Sequence, residues 1–279
     1  MRCLLAFLTA AAVVTAAGHA FGAGNPEAVE IPRGDGGRLQ AVLFRPEGQG
    51  PFPAVVGLHN CTGLINRAGV LGARYRDWGQ HLVKGGFAVL FPDSNGSRGL
   101  GSQCGLRART LRVDQERMAD ANAARAWLQT QSWVAADRIS LLGWSGGAIA
   151  ALWAVRARPQ LAAAGADFRS AVALYPGCRR LSNIAWSARV PTLILIGRAD
   201  DQASAATCQQ MVRGARGRSA RVVIRVYPGA HHDFDHPNRP LQLRTGIAFS
   251  VDGSGRVHTG THPAARADAL KRVPEWLAR

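Results

Sequence analysis

The sequence predicts an α/β protein whose mostly parallel, doubly wound sheet carries an antiparallel hairpin at its N-terminal edge. Three observations point there. Short apolar runs bounded by turn residues alternate with segments of helical spacing, as in a parallel sheet covered on both faces. The first two extended segments are joined by a glycine-rich turn, as in a hairpin. A serine flanked by glycines stands between one apolar run and an alanine-rich helical segment.

Residues 29–32 and 39–45 alternate as strands, with Gly34, Gly36 and Gly37 between them. Pro51 and Pro53 precede a buried strand at 54–59. A helix at 74–84 ends at Gly85 and Gly86, and a further strand at 87–91 is closed by Pro92. Residues 93–110, rich in Gly, Ser and Arg, read as a long surface loop of the kind that often carries function. Met118, Ala121, Ala124 and Leu128 mark a helix over 114–129. Strands follow at 138–144, 171–175, 191–197 and 221–227. Helices are expected at 146–156, 204–214 and 265–278, the last with Pro274 as a candidate kink. Residues 238–262 have weak periodicity and receive no assignment. No second domain boundary and no internal repeat is visible.

The 279 residues are 47% hydrophobic, enough for one domain with a full core. The formal net charge of +16 comes almost entirely from arginine, Lys84 and Lys271 being the only lysines. Because the arginines are scattered and no nucleic-acid motif is present, they read as a compositional bias of a solvated surface, and no nucleic-acid partner is expected. The competing reading is attraction to anionic envelope polymer or lipid.

Residues 1–20 have the three parts of a signal peptide. Arg2 supplies positive charge, an apolar stretch follows from Leu4 to Ala17, and Gly18-His19-Ala20 offers small residues for cleavage, with Ala23 as a later alternative. The apolar stretch is short for a stable membrane span. The chain is thus expected to be periplasmic or secreted, with residues 21–279 as a single catalytic domain. Cys61, Cys104, Cys178 and Cys208 remain after cleavage, an even count that favours disulfides in an exported protein. Cys61 and Cys104 follow the third and fourth strands, which should be neighbours. Cys178 and Cys208 follow another neighbouring pair. The expected bonds are Cys61–Cys104 and Cys178–Cys208.

Gly143-Trp144-Ser145-Gly146-Gly147 carries the chemistry. It matches G-x-S-x-G between a strand and a helix, where a sharp turn lifts a serine hydroxyl clear of the sheet. A serine needs a base, and the base an orienting carboxylate, in the chain order Ser, Asp or Glu, His. Asp200 and Asp201 both follow the strand at 191–197, and Asp200 is preferred. His231 and His232 both follow the strand at 221–227, and His232 is preferred. The segment after the third strand supplies the second oxyanion amide in this arrangement, so the backbone N–H groups of Cys61 and Gly146 are the expected donors. Arg98 on the long loop and Trp144 beside the serine are candidate substrate contacts, the alternative for Arg98 being a loop-stabilising role. No acidic or Cys/His cluster shows metal-ligand spacing, and no metal is expected.

The sequence resembles the dienelactone hydrolase family of α/β-hydrolases. The matching pieces are His59-Asn60-Cys61-Thr62-Gly63-Leu64, Phe91-Pro92-Asp93-Ser94, Gly143-Trp144-Ser145-Gly146-Gly147, Gly197-Arg198-Ala199-Asp200, and Tyr227-Pro228-Gly229-Ala230-His231-His232-Asp233-Phe234. They run in family order over roughly residues 30–235. The resemblance selects Asp200 over Asp201 and His232 over His231. It implies an α/β-hydrolase fold, hydrolysis of a small-molecule ester or lactone through an acyl-enzyme, and no cofactor. Three departures are visible. The namesake enzymes carry a cysteine where Ser145 stands, which favours ester over the namesake lactone. The leader distinguishes this chain from cytosolic members. Asn60 replaces a glycine common in related exported members. The competing class is a non-catalytic envelope protein of the same fold that binds anionic polymer. Oligomeric state is not legible in the sequence.

Overall fold

β1 (Glu27–Pro32) and β2 (Arg38–Phe44) pair antiparallel around the Gly-rich turn, in a computed structural model that describes residues 25–157 and 166–279. The expected signal segment, residues 1–20, lies outside the described residues. β2 then pairs antiparallel with β4 (Ala88–Pro92), and every other contact in the main sheet is parallel. The eight strands run in the order β1-β2-β4-β3-β5-β6-β7-β8. β3 is Phe52–Leu58, β5 Val134–Trp144, β6 Ala171–Leu174, β7 Thr192–Gly197 and β8 Val222–Tyr227.

Burial follows strand position. β4, β6 and β7 are buried at every residue, because helices cover both faces of the sheet there. β2 alternates and β8 is half-buried, as edge-side strands should be. The helices are α1 (Ala73–Lys84), α2 (Glu116–Gln129), α3 (Gly146–Ala154), α4 (Arg179–Asn183), α5 (Ala205–Gly214) and α6 (Pro263–Leu277). α3 is buried nearly all round, and its alanines let it lie close against β5. Among the described residues no helix is long and apolar enough to cross a membrane.

Several boundaries differ from the sequence expectation for local reasons. α2 starts at Glu116 rather than Asp114, because Gln115 stands at φ −131°, ψ −90° and the Arg112 N–H bonds the Glu116 carboxylate. α3 stops at Ala154, and Arg156 instead forms a bridge with Ala188. β5 begins four residues early, since Val134 pairs with Phe52 before a register shift in β3. α6 begins at Pro263 with His262 as N-cap and continues through Pro274. α4 has only five residues, too few for a periodic signal. The unassigned segment holds two short paired strands, β9 (Gln242–Arg244) and β10 (Val257–Thr259). The 93–110 loop is not wholly superficial: Asp93, Ser94, Asn95, Gln103 and Cys104 are buried.

Among the described residues two disulfides are present, Cys61–Cys104 and Cys178–Cys208. The first ties the segment after β3 to the 93–110 loop, and the second ties the segment after β6 to α5.

Candidate active site

Ser145 alone separates β5 from α3. Its backbone stands at φ 51° and ψ −114°, a region that costs a residue with a side chain about 1–3 kcal/mol. The flanking glycines are required by close approach. A Cβ at Gly147 would lie 1.9 Å from the Leu58 carbonyl oxygen, and one at Gly143 would lie 2.4 Å from the Gly147 carbonyl oxygen. The Ser145 N–H donates to the Leu174 carbonyl at 3.0 Å, fixing the turn to β6.

The turns after β7 and β8 bring the other two groups to this serine. His232 Nε2 lies 3.0 Å from Ser145 Oγ, and His232 Nδ1 lies 2.8 Å from Asp200 Oδ2. The other Asp200 oxygen accepts the Gln202 and Ala203 N–H groups at 2.9 and 2.8 Å, so the carboxylate is held at both ends. Asp201 turns away and meets His258, with Oδ2 2.7 Å from Nδ1. His232 packs against the Tyr175 ring at 4.5 Å, and its carbonyl accepts the Gly260 N–H at 3.0 Å.

Burial alone would push the His232 pKa down, but the Asp200 carboxylate outweighs it and holds the imidazole above its ordinary value of 6.5. A base of this kind works only when neutral. For any hydrolysis that uses His232 as its base, the acid limb of kcat/KM is therefore expected above pH 6.5, with activity falling as pH drops through it. Asp200→Asn should move that limb to lower pH and cut the rate by about 10⁴-fold. A wild-type limb at or below pH 6.5 would contradict the assignment of the limb to His232.

The segment after β3 lies across from Ser145. A Cβ at Gly146 would sit 3.9 Å from the Cys61 amide nitrogen, so the two expected donors border one space. Asn60 shapes this segment: its Oδ1 accepts the Thr62 N–H at 3.0 Å and the Tyr75 hydroxyl at 3.1 Å, while its own N–H donates to Tyr75 at 2.9 Å. His59 is fully buried and bridges the ends of β3 and β4, accepting the Ser94 N–H at 3.1 Å. Arg117, buried in α2, donates to the His59 carbonyl. Burial pushes its pKa down to about 10, which leaves it charged at neutral pH. Its Nη1 would lie 3.3 Å from a Gly146 Cβ, and Arg109 Nη1 3.8 Å, so two guanidinium groups flank the space beside the Cys61 and Gly146 amides. Arg109 stands on the 93–110 loop, which the sequence, by its place after a strand end, sets at the border of the site's mouth together with Arg98 and Arg107; Arg117 was not singled out from the sequence. The signal of Arg117 was present only as one arginine among many.

A cavity of about 670 Å³ opens from Ser145 and His232. Ile149, Trp153, Tyr175 and Phe249 give it apolar wall, and Arg107, Arg109, Arg112, Arg179 and Arg180 give the lining an excess of positive charge over Asp114, which pairs with Arg180 at 2.8 Å. The Arg109 guanidinium lies 5.0 Å from the Phe249 ring centroid, and burial lowers its pKa. Two expected contacts are not on this wall. Arg98 makes a two-pronged bond to Asp120 at 2.8 and 2.9 Å and also holds the Ser94 carbonyl, so it stabilises the loop. Trp144 is fully buried with its indole N–H on Asp235 at 2.7 Å, because residues along a strand alternate faces and Trp144 faces inward.

Behind the site lies a buried polar hub that sequence spacing did not reveal. Asp235 accepts the indole N–H groups of Trp78 and Trp144, both at 2.7 Å, and the Tyr175 hydroxyl at 2.6 Å. Arg74 pairs with Asp233 at 2.6 Å and approaches Asp235 at 3.5 Å. Burial raises the Asp233 pKa, but Arg74 and then His232 and Arg239 outweigh it and hold the carboxyl well below its usual range.

The profile of the dienelactone hydrolase family matches residues 39–279. Among solved structures, a candidate dienelactone hydrolase from Klebsiella pneumoniae is 21% identical with a TM-score of 0.67, the match covering 91% of this chain and 98% of that one. A dienelactone hydrolase from Anabaena variabilis is 18% identical with a TM-score of 0.62, covering 91% and 97%. Thermogutta terrifontis esterase 2, phosphorylated by paraoxon, is 16% identical with a TM-score of 0.64, covering 91% and 93%. These likenesses show a shared α/β-hydrolase fold, and the match over residues 39–279 shows that the chain belongs to the dienelactone hydrolase family.

Proposed function

We propose that this chain is an exported serine hydrolase that cleaves a carboxylic ester or lactone through an acyl-enzyme. The observation that carries the reading is the unbroken relay from Asp200 through His232 to Ser145 Oγ, at 2.8 and 3.0 Å, opening onto the cavity. Ser145 Oγ attacks the acyl carbon while His232 Nε2 takes its proton. Asp200 holds the imidazole tautomer and stabilises its charged form. The Cys61 and Gly146 amides receive the oxyanion, with Arg109 and Arg117 adding positive field. His232 then protonates the leaving alcohol, and water repeats the sequence on the acyl-enzyme. A likeness to an esterase that paraoxon phosphorylates supports a reactive serine. The two disulfides and the leader sequence support export.

A fluorophosphonate probe is expected to label the protein once, on the peptide containing Ser145. Because the cavity wall is cationic, p-nitrophenyl esters bearing a carboxylate should be turned over faster than neutral esters of equal length, and the advantage should shrink with salt. Absence of labelling, together with salt-sensitive binding of anionic polymer, would favour the non-catalytic envelope reading instead.

A further inference from the structure

One residue along from the Asp200–His232 pair stands a second pair of the same kind, Asp201 with His258. His231 completes a group with them. One ligand atom from each of Asp201, His231 and His258 lies within 4.8 Å of the other two. Sequence spacing hid this, because the three residues come from separate segments, after β7, after β8 and in β10.

We propose that Asp201, His231 and His258 form a binding site for a divalent transition metal of the zinc class. The chemistry of the donor set fits: two imidazoles and one carboxylate are preferred zinc ligands, and three protein ligands leave a position for water. Bound zinc takes such ligands at about 2.0–2.2 Å, so their donor atoms end up about 3.3 Å apart in a tetrahedral arrangement. To reach that spacing the Asp201–His258 contact, now 2.7 Å, opens to admit the ion while His231 closes in from within 4.8 Å. Two further observations support the site. Asp201 Oδ1 accepts the His258 backbone N–H at 2.8 Å, which orients the carboxylate with Oδ2 toward the imidazole. His231 Nδ1 is enclosed and has no hydrogen-bond partner among the described residues. The Asp201 and His258 side chains remain 35% and 45% exposed, which gives the ion a path in.

The position gives the metal a consequence. Asp201 follows Asp200, His231 precedes His232, and His258 precedes Thr259, which bridges His232. An ion held here clamps together the three segments that set the Asp200–His232 geometry. It acts as a brace, not as a participant in hydrolysis.

The test is calorimetric titration of Zn²⁺ into the untagged, chelator-treated protein, with thermal unfolding followed in parallel. The expected result is one Zn²⁺ per chain, a midpoint that rises by several degrees with Zn²⁺, and a Co²⁺ adduct whose d–d absorption reports imidazole ligation. His258→Gln changes a half-exposed side chain and should fold. It and His231→Gln should each weaken binding at least about tenfold and abolish the thermal shift. Substoichiometric binding by the wild type, or wild-type affinity in both variants, would overturn the proposal and leave Asp201–His258 as a simple ion pair.

Discussion

Ser145→Ala is expected to lower kcat for p-nitrophenyl esters by about 10⁶-fold, because Ser145 Oγ is the hydroxyl that His232 Nε2 meets, at 3.0 Å, among the described residues. His232→Ala should cost about as much, and the double variant little more, since a nucleophile and its base act as a unit. The backbone adds a second expectation. Ser145 holds φ 51°, a value glycine adopts freely and a residue with a side chain adopts at a cost. Ser145→Gly should therefore be equally inactive yet more stable by about 1 kcal/mol, raising Tm by about 2–4 °C. Ser145→Ala keeps the Cβ and should gain little of that. Steady-state kinetics on the wild type and the four variants, with thermal unfolding of the wild type, Ser145→Ala and Ser145→Gly, check both parts. Wild-type turnover by Ser145→Ala would sink the proposed mechanism, and a Ser145→Gly protein less stable than wild type would refute the strain argument.

Asp235→Ala should be the most destabilising single change in the site region. The carboxylate is fully buried and satisfies two indole N–H groups and one phenol at once, with the Arg74 charge beside it. Removing it leaves three buried donors without a partner and Arg74 with one fewer counter-charge. Each orphaned donor costs about 1–3 kcal/mol, and an unbalanced buried charge adds to that. A loss of about 4 kcal/mol or more is expected, or a fall in Tm of roughly 10 °C or more. Asp235→Asn keeps one acceptor oxygen and should recover part of the loss. Activity should fall as well, because Trp144 precedes Ser145 and the Tyr175 ring lies against His232. A Tm change of less than about 3 °C for Asp235→Ala would show that the hub is not a keystone of this fold.

The legibility of this protein in its sequence follows the range of the interactions involved. The parallel sheet was readable because β4, β6 and β7 are short apolar runs between turn residues, and local patterning reports burial on both faces directly. The turn at Ser145 was readable because two glycines are forced on it by contacts within a few ångströms. Strand order then named the residues that stand after β3, β7 and β8. Choosing Asp200 over Asp201 needed the family pattern, since adjacent aspartates in one loop look alike until their side chains are seen to part, one to His232 and the other to His258.

What the sequence by itself determined is the α/β class, the serine at its strand-to-helix turn, and the short list of acids and bases able to serve it. These rest on periodicity and turn chemistry, which act over a handful of residues. Only the tertiary structure decided that Arg98 holds Asp120 and Trp144 holds Asp235 instead of lining the cavity. It alone brought the Arg109 and Arg117 guanidinium groups beside the Cys61 and Gly146 amides, and Asp201, His231 and His258 together from three segments. The physical reason is the same in each case. A side chain's partner is set by which elements pack together, and residues far apart in the chain leave no mark of that encounter in their local spacing.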